Sequence, residues 1–277
     1  MDGIHVTEKP LYLDDKGIWL YDVAFGWRRT VEADYVVRCL AAHGAVPPAR
    51  VLDVACGAGH FLEEGHKRGW MLAGVDYSPG MLVLGRQRVG PDAQLVVADM
   101  SEFAVTGTFD VATCWLDSFT YMLTDADILR HFQCVARALK REGMYLLDLS
   151  FSRWAEPFWR KESSQWKPSF DNGWTAVRGD FEVYHDGCCG PPCDPVAHLV
   201  TEYMYFRVTD RMSGKVEARC YTALKRALHP QTFAALVSAS NVFELLNWSC
   251  GDFQVDSPFN LADSTGRSLV LLRQARG

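Results

Sequence analysis

Three aspartates, Asp53, Asp76 and Asp99, stand at or near the ends of short apolar runs, and the first is followed by a glycine turn. In Asp53-Val54-Ala55-Cys56-Gly57-Ala58-Gly59-His60, Gly57 and Gly59 let the backbone turn tightly and come close to a ligand. A helix that starts behind such a turn offers unpaired N–H groups. Asp76, in Gly74-Val75-Asp76-Tyr77-Ser78, is placed to accept both hydroxyls of a ribose. Asp99, in Ala98-Asp99-Met100, can accept an adenine amino group, with Met100 against the ring. Each aspartate alone is also an ordinary turn residue. Three of them at successive strand ends, beside a glycine turn, point together to an adenosyl pocket. A dinucleotide fingerprint would carry a third glycine for close helix packing. Leu62 stands at that place, which weakens a dehydrogenase reading.

The elements that must hold these residues follow from hydrophobic periodicity. Val51–Ala55, Met71–Val75, Gln94–Ala98, Phe109–Trp115 and Met144–Leu149 read as buried strands. Helices are expected after the glycine turn to about Arg68, from Pro79 to Arg88 behind a Ser78 cap, and from Asp125 to Lys140. Strand–helix alternation of this kind implies right-handed crossovers and a parallel sheet. From about Ser152 the pattern changes. Phe181–His185, Leu199–Thr209 and Lys215–Leu228 alternate as antiparallel strands. A helix from Pro230 to Ser240 and strands at Phe243–Trp248 and Ser268–Arg273 complete the main sheet.

The expected architecture is therefore α/β: a Rossmann-like, mostly parallel seven-stranded sheet with helices on both faces. Residues 1–48 read as an N-terminal helical cap. Residues 49–151 and 229–277 read as the core, and residues 152–228 as an inserted antiparallel β subdomain that selects substrate.

Composition narrows the function classes. The chain has 277 residues, 48% hydrophobic and 22% charged, an ordinary globular balance. Its net charge of −6 and the lack of any basic cluster longer than a pair argue against nucleic acid and anionic membranes as partners. No apolar stretch reaches the roughly 18 residues of a membrane span. Met1–His5 shows no signal-peptide pattern, and the nine cysteines are scattered, so a reduced, cytoplasmic setting is expected.

The string Val51-Leu52-Asp53-Val54-Ala55-Cys56-Gly57-Ala58-Gly59 resembles the first motif of class I S-adenosylmethionine-dependent methyltransferases. Gly74–Ser78 followed by Pro79–Leu82 is similar to their second motif, and Ala98-Asp99-Met100 to their third. The resemblance implies S-adenosylmethionine as cofactor and S-adenosylhomocysteine as product. It implies Gly57 and Gly59 against the methionine moiety, with Asp53, Ala55 and Cys56 in the same turn. Asp76 would hold the ribose, with Tyr77 and Met81 beside it, and Asp99 and Met100 the adenine. Within that family the chain most resembles the glycine N-methyltransferase type. Cys114-Trp115-Leu116-Asp117-Ser118-Phe119 after the fourth strand, the antiparallel insertion, and His229 before the last helix carry that likeness. Cys114 and Trp115 join the expected cofactor site. Tyr21 and Arg28 do so through an N-terminal helix over the cofactor, Arg28 pairing with its carboxylate.

The expected reaction is methyl transfer to a small molecule, on an amine nitrogen. A neutral amine needs only to be unprotonated. A hydroxyl or carboxylic acid would lose its proton to a base or to solvent, and Asp117, Tyr121 and His229 are the candidates. Small-molecule O-methylation, protein methylation and a non-catalytic cofactor-binding module are the alternatives. The Asn/Asp-Pro-Pro-aromatic string of DNA amino-methylating enzymes is absent, since its place reads Trp115-Leu116-Asp117-Ser118. His185, Cys188, Cys189, Cys193 and His198 suggest zinc, but their spacing lacks a paired C-x-x-C. Gly187, Gly190, Pro191 and Pro192 favour an irregular loop with free thiols, and no metal is expected. Exposed strands of the insertion could pair between subunits.

Overall fold

The computed structural model describes residues 5–7, 9–27, 29–151, 173–194, 196–259 and 266–275. The chain divides into two compact units, residues 1–27 with 155–226 and residues 28–154 with 227–277.

The first unit contains the strands β1 (His5–Val6), β7 (Trp174–Arg178), β8 (Phe181–Asp194), β9 (Leu199–Asp210) and β10 (Val216–Arg226), with the helix α1 (Asp15–Ala24). The strands form a five-stranded sheet of order β1-β10-β9-β8-β7. Leu20, Val23 and Ala24 of α1 pack with Val183, Met204, Phe206 and Tyr221.

The second unit contains the strands β2 (Arg50–Val54), β3 (Met71–Asp76), β4 (Gln94–Val97), β5 (Phe109–Cys114), β6 (Leu139–Phe151), β11 (Phe243–Cys250) and β12 (Gly266–Gln274). They form a seven-stranded sheet of order β11-β12-β6-β5-β2-β3-β4. The pairs β2–β3, β2–β5, β3–β4 and β5–β6 are parallel, and β12 runs antiparallel between β6 and β11. The helices are α2 (Thr30–Ala42), α3 (His60–Lys67), α4 (Pro79–Val89), α5 (Asp125–Ala138) and α6 (Pro230–Ser240). They form because apolar side chains recur on one side of each. Ile128, Phe132, Val135 and Phe233 bury α5 and α6 with Leu147, Val270 and Leu272 in one core. Tyr35, Phe61, Leu62 and Leu82 bury α2, α3 and α4 with Val51, Leu146 and Leu271 in another. Two cores on one sheet are the doubly wound arrangement. Strand order reverses between β2 and β5, so ligands are expected outside the carboxyl ends of these strands.

Several elements differ from the sequence reading. The segment expected as one helical cap over 1–48 is divided: α1 groups with the five-stranded sheet and α2 with the seven-stranded one. β7 has no counterpart among the expected strands. The irregular loop expected around Gly187–Cys193 is instead the second half of β8. Among the described residues β7 pairs with Phe181–His185 of β8, and the register of β8 against β9 slips around Pro192. Among the described residues no group of three His, Cys, Asp or Glu side chains could hold a metal ion. No helix of the described residues is long and apolar enough to cross a membrane.

Candidate functional site

The glycine turn after β2 is built from closely spaced unusual backbone angles. Ala55, Gly57 and Gly59 all have positive φ, at 57°, 51° and 77°. Gly59 is also the N-cap of α3 and, having no side chain, supplies no bond to its first N–H groups. A Cβ on Gly59 would lie 3.0 Å from the Cα of Gly85 in α4. Gly59→Ala is therefore expected to cost about 1–3 kcal/mol through strain and crowding, read as a lower thermal midpoint. At Gly57 an added Cβ would meet nothing within 4 Å, so this turn faces open space. Leu62, at the place of the missing third glycine, owes its fit to a glycine elsewhere. A Cβ on Gly74 would come within 2.8 Å of the Leu62 Cδ1. The small residue that lets helix and sheet approach has moved from α3 to β3.

Asp76 closes β3 and ties the turn down. Its Oδ2 accepts from the Gly57 N–H at 2.7 Å and its Oδ1 from the Ser78 N–H at 2.9 Å. A carboxylate has about four acceptor positions, so two remain for a ligand. Burial raises the Asp76 carboxyl above its ordinary value, against the pull of these two N–H groups. Ser78 caps α4 through a bond from the Met81 N–H at 3.2 Å, and buried Met81 packs behind the site. Tyr77 is half-exposed beside Asp76.

Asp53 is buried and accepts from the Thr113 hydroxyl at 2.8 Å. Burial pushes its carboxyl up to about 8, opposed by Thr113 and by the charge of Arg29, with Asp76 adding to the rise. Arg29 is 4% exposed and also donates to Glu32 at 3.0 Å. Arg28, the arginine to which the sequence resemblance points, lies outside the described residues. Arg29 is a buried cation near the turn that sequence reasoning missed. Cys56 and Cys114 are buried, and burial pushes both thiols up.

Asp99 is exposed, and its Oδ1 accepts from the Ser101 N–H at 2.7 Å and hydroxyl at 2.6 Å. It shapes the turn after β4, with lone pairs to spare. Met100 packs against the core.

After β5, Trp115 is 6% exposed and packs on Phe61, with ring centroids 5.1 Å apart. Its buried Nε1 has no hydrogen-bond partner among the described residues. Leu116 and Asp117 follow with φ of 54° and 60°. The buried Asp148 holds this bend through the Leu116 N–H at 2.9 Å, and Arg267 clamps Asp148 with two bonds of 2.7 Å.

The three candidate bases each have a local setting. Asp117 accepts from the Ser150 N–H at 2.8 Å and lies within reach of the Thr120 hydroxyl. His229 caps α6, its Nδ1 accepting from the Gln231 N–H at 3.2 Å. Tyr121, at the end of the 3-10 turn Ser118–Tyr121, is partly buried. Tyr21 belongs to the first unit, where it stacks on Phe25 with centroids 4.2 Å apart.

Residues 51–143 match the family model described as a methyltransferase domain. The putative methyltransferase YqeM of Bacillus subtilis (strain 168) is 30% identical over 143 residues, which are 50% of this chain and 58% of that protein. A dTDP-4-amino-2,3,4,6-tetradeoxy-D-glucose N,N-dimethyltransferase of Saccharopolyspora spinosa is 32% identical over 129 residues, 46% of this chain and 47% of that protein. The chain spans about half the length of the curated relatives it matches. A solved structure of a S-adenosylmethionine-dependent methyltransferase from Clostridium acetobutylicum ATCC 824 superposes with a TM-score of 0.69, at 20% identity, over 95% of this chain and 99% of that one. Residues 51–143 are thus similar to a methyltransferase domain, and the chain has the Rossmann-like α/β fold seen in that S-adenosylmethionine-dependent methyltransferase.

Proposed function

We propose that this chain binds S-adenosylmethionine at the carboxyl ends of β2, β3 and β4 and methylates an amine nitrogen of a small molecule, an amino sugar. The observation that carries the reading is Asp76. Near the switch point of the sheet it is buried, fixed by two backbone N–H groups, and keeps two acceptor positions beside an open glycine turn. That is the chemistry a ribose diol requires.

The rest of the site fits the same ligand. Asp99 and Met100 would take the adenine, and the N–H groups of the α3 turn the polar end of the methionine moiety. Arg29 would balance the methionine carboxylate, and the unpaired Trp115 Nε1 offers a further donor. When bound, S-adenosylmethionine supplies a methyl group already activated by its sulfonium charge. The nitrogen lone pair forms the new N–C bond as the C–S bond breaks and its electrons return to sulfur. The ammonium product then loses a proton to solvent. The protein has to align these atoms and exclude water.

Two observations support an amine over a hydroxyl or carboxylate. Asp117 accepts from the Ser150 N–H and the Nδ1 lone pair of His229 is taken up by the Gln231 N–H, so an acceptor that needs no dedicated base suits the site. The relative from Saccharopolyspora spinosa is named for N,N-dimethylation of an amino sugar, which makes amino sugars the acceptor to try before glycine. The test is a methyl-transfer screen over nucleotide-linked amino sugars, simple amines including glycine, phenols and carboxylic acids, following S-adenosylhomocysteine release. Turnover is expected with an amino sugar. Turnover only with oxygen acceptors or only into protein, or tight NAD binding in place of S-adenosylmethionine, would overturn the reading.

A further inference from the structure

Behind the Asp99–Met100 turn lies a buried polar chain that the proposed chemistry does not use. His131 of α5 is fully buried. Its Nδ1 lies 2.7 Å from the Met100 carbonyl oxygen, and its Nε2 lies 2.6 Å from the Tyr145 hydroxyl on β6. These contacts link the turn after β4 to β6 through one imidazole.

The direction of every bond in the chain is fixed by chemistry. A backbone carbonyl can only accept, so Nδ1 carries a proton. Burial pulls the ring down to about 4, with the Met100 carbonyl and the Asp99 charge opposing, so near neutral pH it is uncharged. A neutral imidazole with its proton on Nδ1 has only an acceptor at Nε2, so Tyr145 must donate there. The result is one tautomer, one ring orientation and one position for the Met100 carbonyl. Buried chains of this kind are rigid when every member is satisfied.

Asp99 is exposed, and among the described residues its side chain bonds only within the turn, to Ser101. The Met100 side chain packs against the core and the Cys134 thiol reaches the Ser101 carbonyl at 3.6 Å, while the bond from His131 is the one made to the Met100 carbonyl itself. We infer that His131 is a positioning residue for the purine-binding turn, holding Asp99 where it reads the adenine amino group and Met100 against the ring, with Tyr145 fixing its tautomer. This rests on the cofactor reading above.

The test compares two ligands on the full chain: S-adenosylhomocysteine and S-inosylhomocysteine, in which the 6-amino group is replaced by a carbonyl oxygen. The wild type should bind the adenosine form more tightly. His131→Phe keeps the ring volume and removes both bonds. It should weaken S-adenosylhomocysteine binding by about tenfold while changing S-inosylhomocysteine binding by much less, so that discrimination collapses. His131→Asn puts an amide N–H near the place of Nδ1 and should recover most of the discrimination. Tyr145→Phe leaves the ring in place but frees its tautomer, and should lose part of it. A thermal melt on each variant separates folding from binding. Equal losses for both ligands, or wild-type discrimination in a folded His131→Phe, would overturn the inference. Absence of S-adenosylhomocysteine binding by the wild type would instead overturn the cofactor reading.

Discussion

Asp76→Ala is expected to weaken S-adenosylmethionine binding by about a hundredfold or more. The substitution removes the acceptor proposed for both ribose hydroxyls. It also orphans the N–H groups of Gly57 and Ser78, which bond to the carboxylate at 2.7 and 2.9 Å. The glycine turn loses its anchor at the same time as the ligand loses its partner. Asp76→Asn should fall between, because its amide keeps one carbonyl oxygen and presents donors where acceptors are needed. Isothermal titration with S-adenosylhomocysteine reads the effect, and circular dichroism checks that the variant is folded. Binding within about threefold of wild type in a folded Asp76→Ala would remove the ribose assignment.

The second large effect is on stability. Arg267→Met should lower the unfolding free energy by about 3 kcal/mol. Asp148 is 1% exposed and receives two guanidinium bonds of 2.7 Å. Without Arg267 its carboxylate is left buried with no countercharge, and removing one partner of such a pair costs far more than replacing both. The double variant Asp148→Asn/Arg267→Met should therefore recover part of the loss. Urea unfolding measures both, and a change below about 0.5 kcal/mol for the single variant would show that solvent screens the pair as it does on a surface. The effect should reach function, since the same Asp148 holds the Leu116–Asp117 bend at the end of β5.

Much of this arrangement is legible in the residues. The strands from Val51 to Leu149 can be read because parallel strands buried on both faces are continuous apolar runs. The helix α6 spans Pro230–Ser240 as expected, since Pro at its first position marks its start. The glycine turn and Asp76 are legible because both are local in sequence and converge at one switch point. Other features are hidden for physical reasons. In β7, Trp174–Arg178, four of five residues are exposed, so no period-two pattern exists to read. In β8 the glycines and prolines that signal loops lie within a strand whose register against β9 slips around Pro192. The acid–base candidates Asp117 and His229 stand out by type, and type does not reveal that a turn and a helix cap already use them. His131 leaves a faint signal: it lies among Ile128, Phe132 and Val135 on the apolar side of α5, where a polar residue has to find partners inside the protein.

The two units interleave along the chain, so the first to begin on the ribosome is completed only after residues 28–154 of the other have been made. Asp14 at the start of α1 receives the Tyr221 hydroxyl from 207 positions away, and Asp22 within α1 pairs with Arg178 from 156 positions away. At ordinary elongation rates these partners leave the ribosome about 10–40 s after α1 itself. During that interval Leu20, Val23 and Ala24 are synthesised without the sheet that will cover them, which makes α1 a natural place for a chaperone to hold the nascent chain.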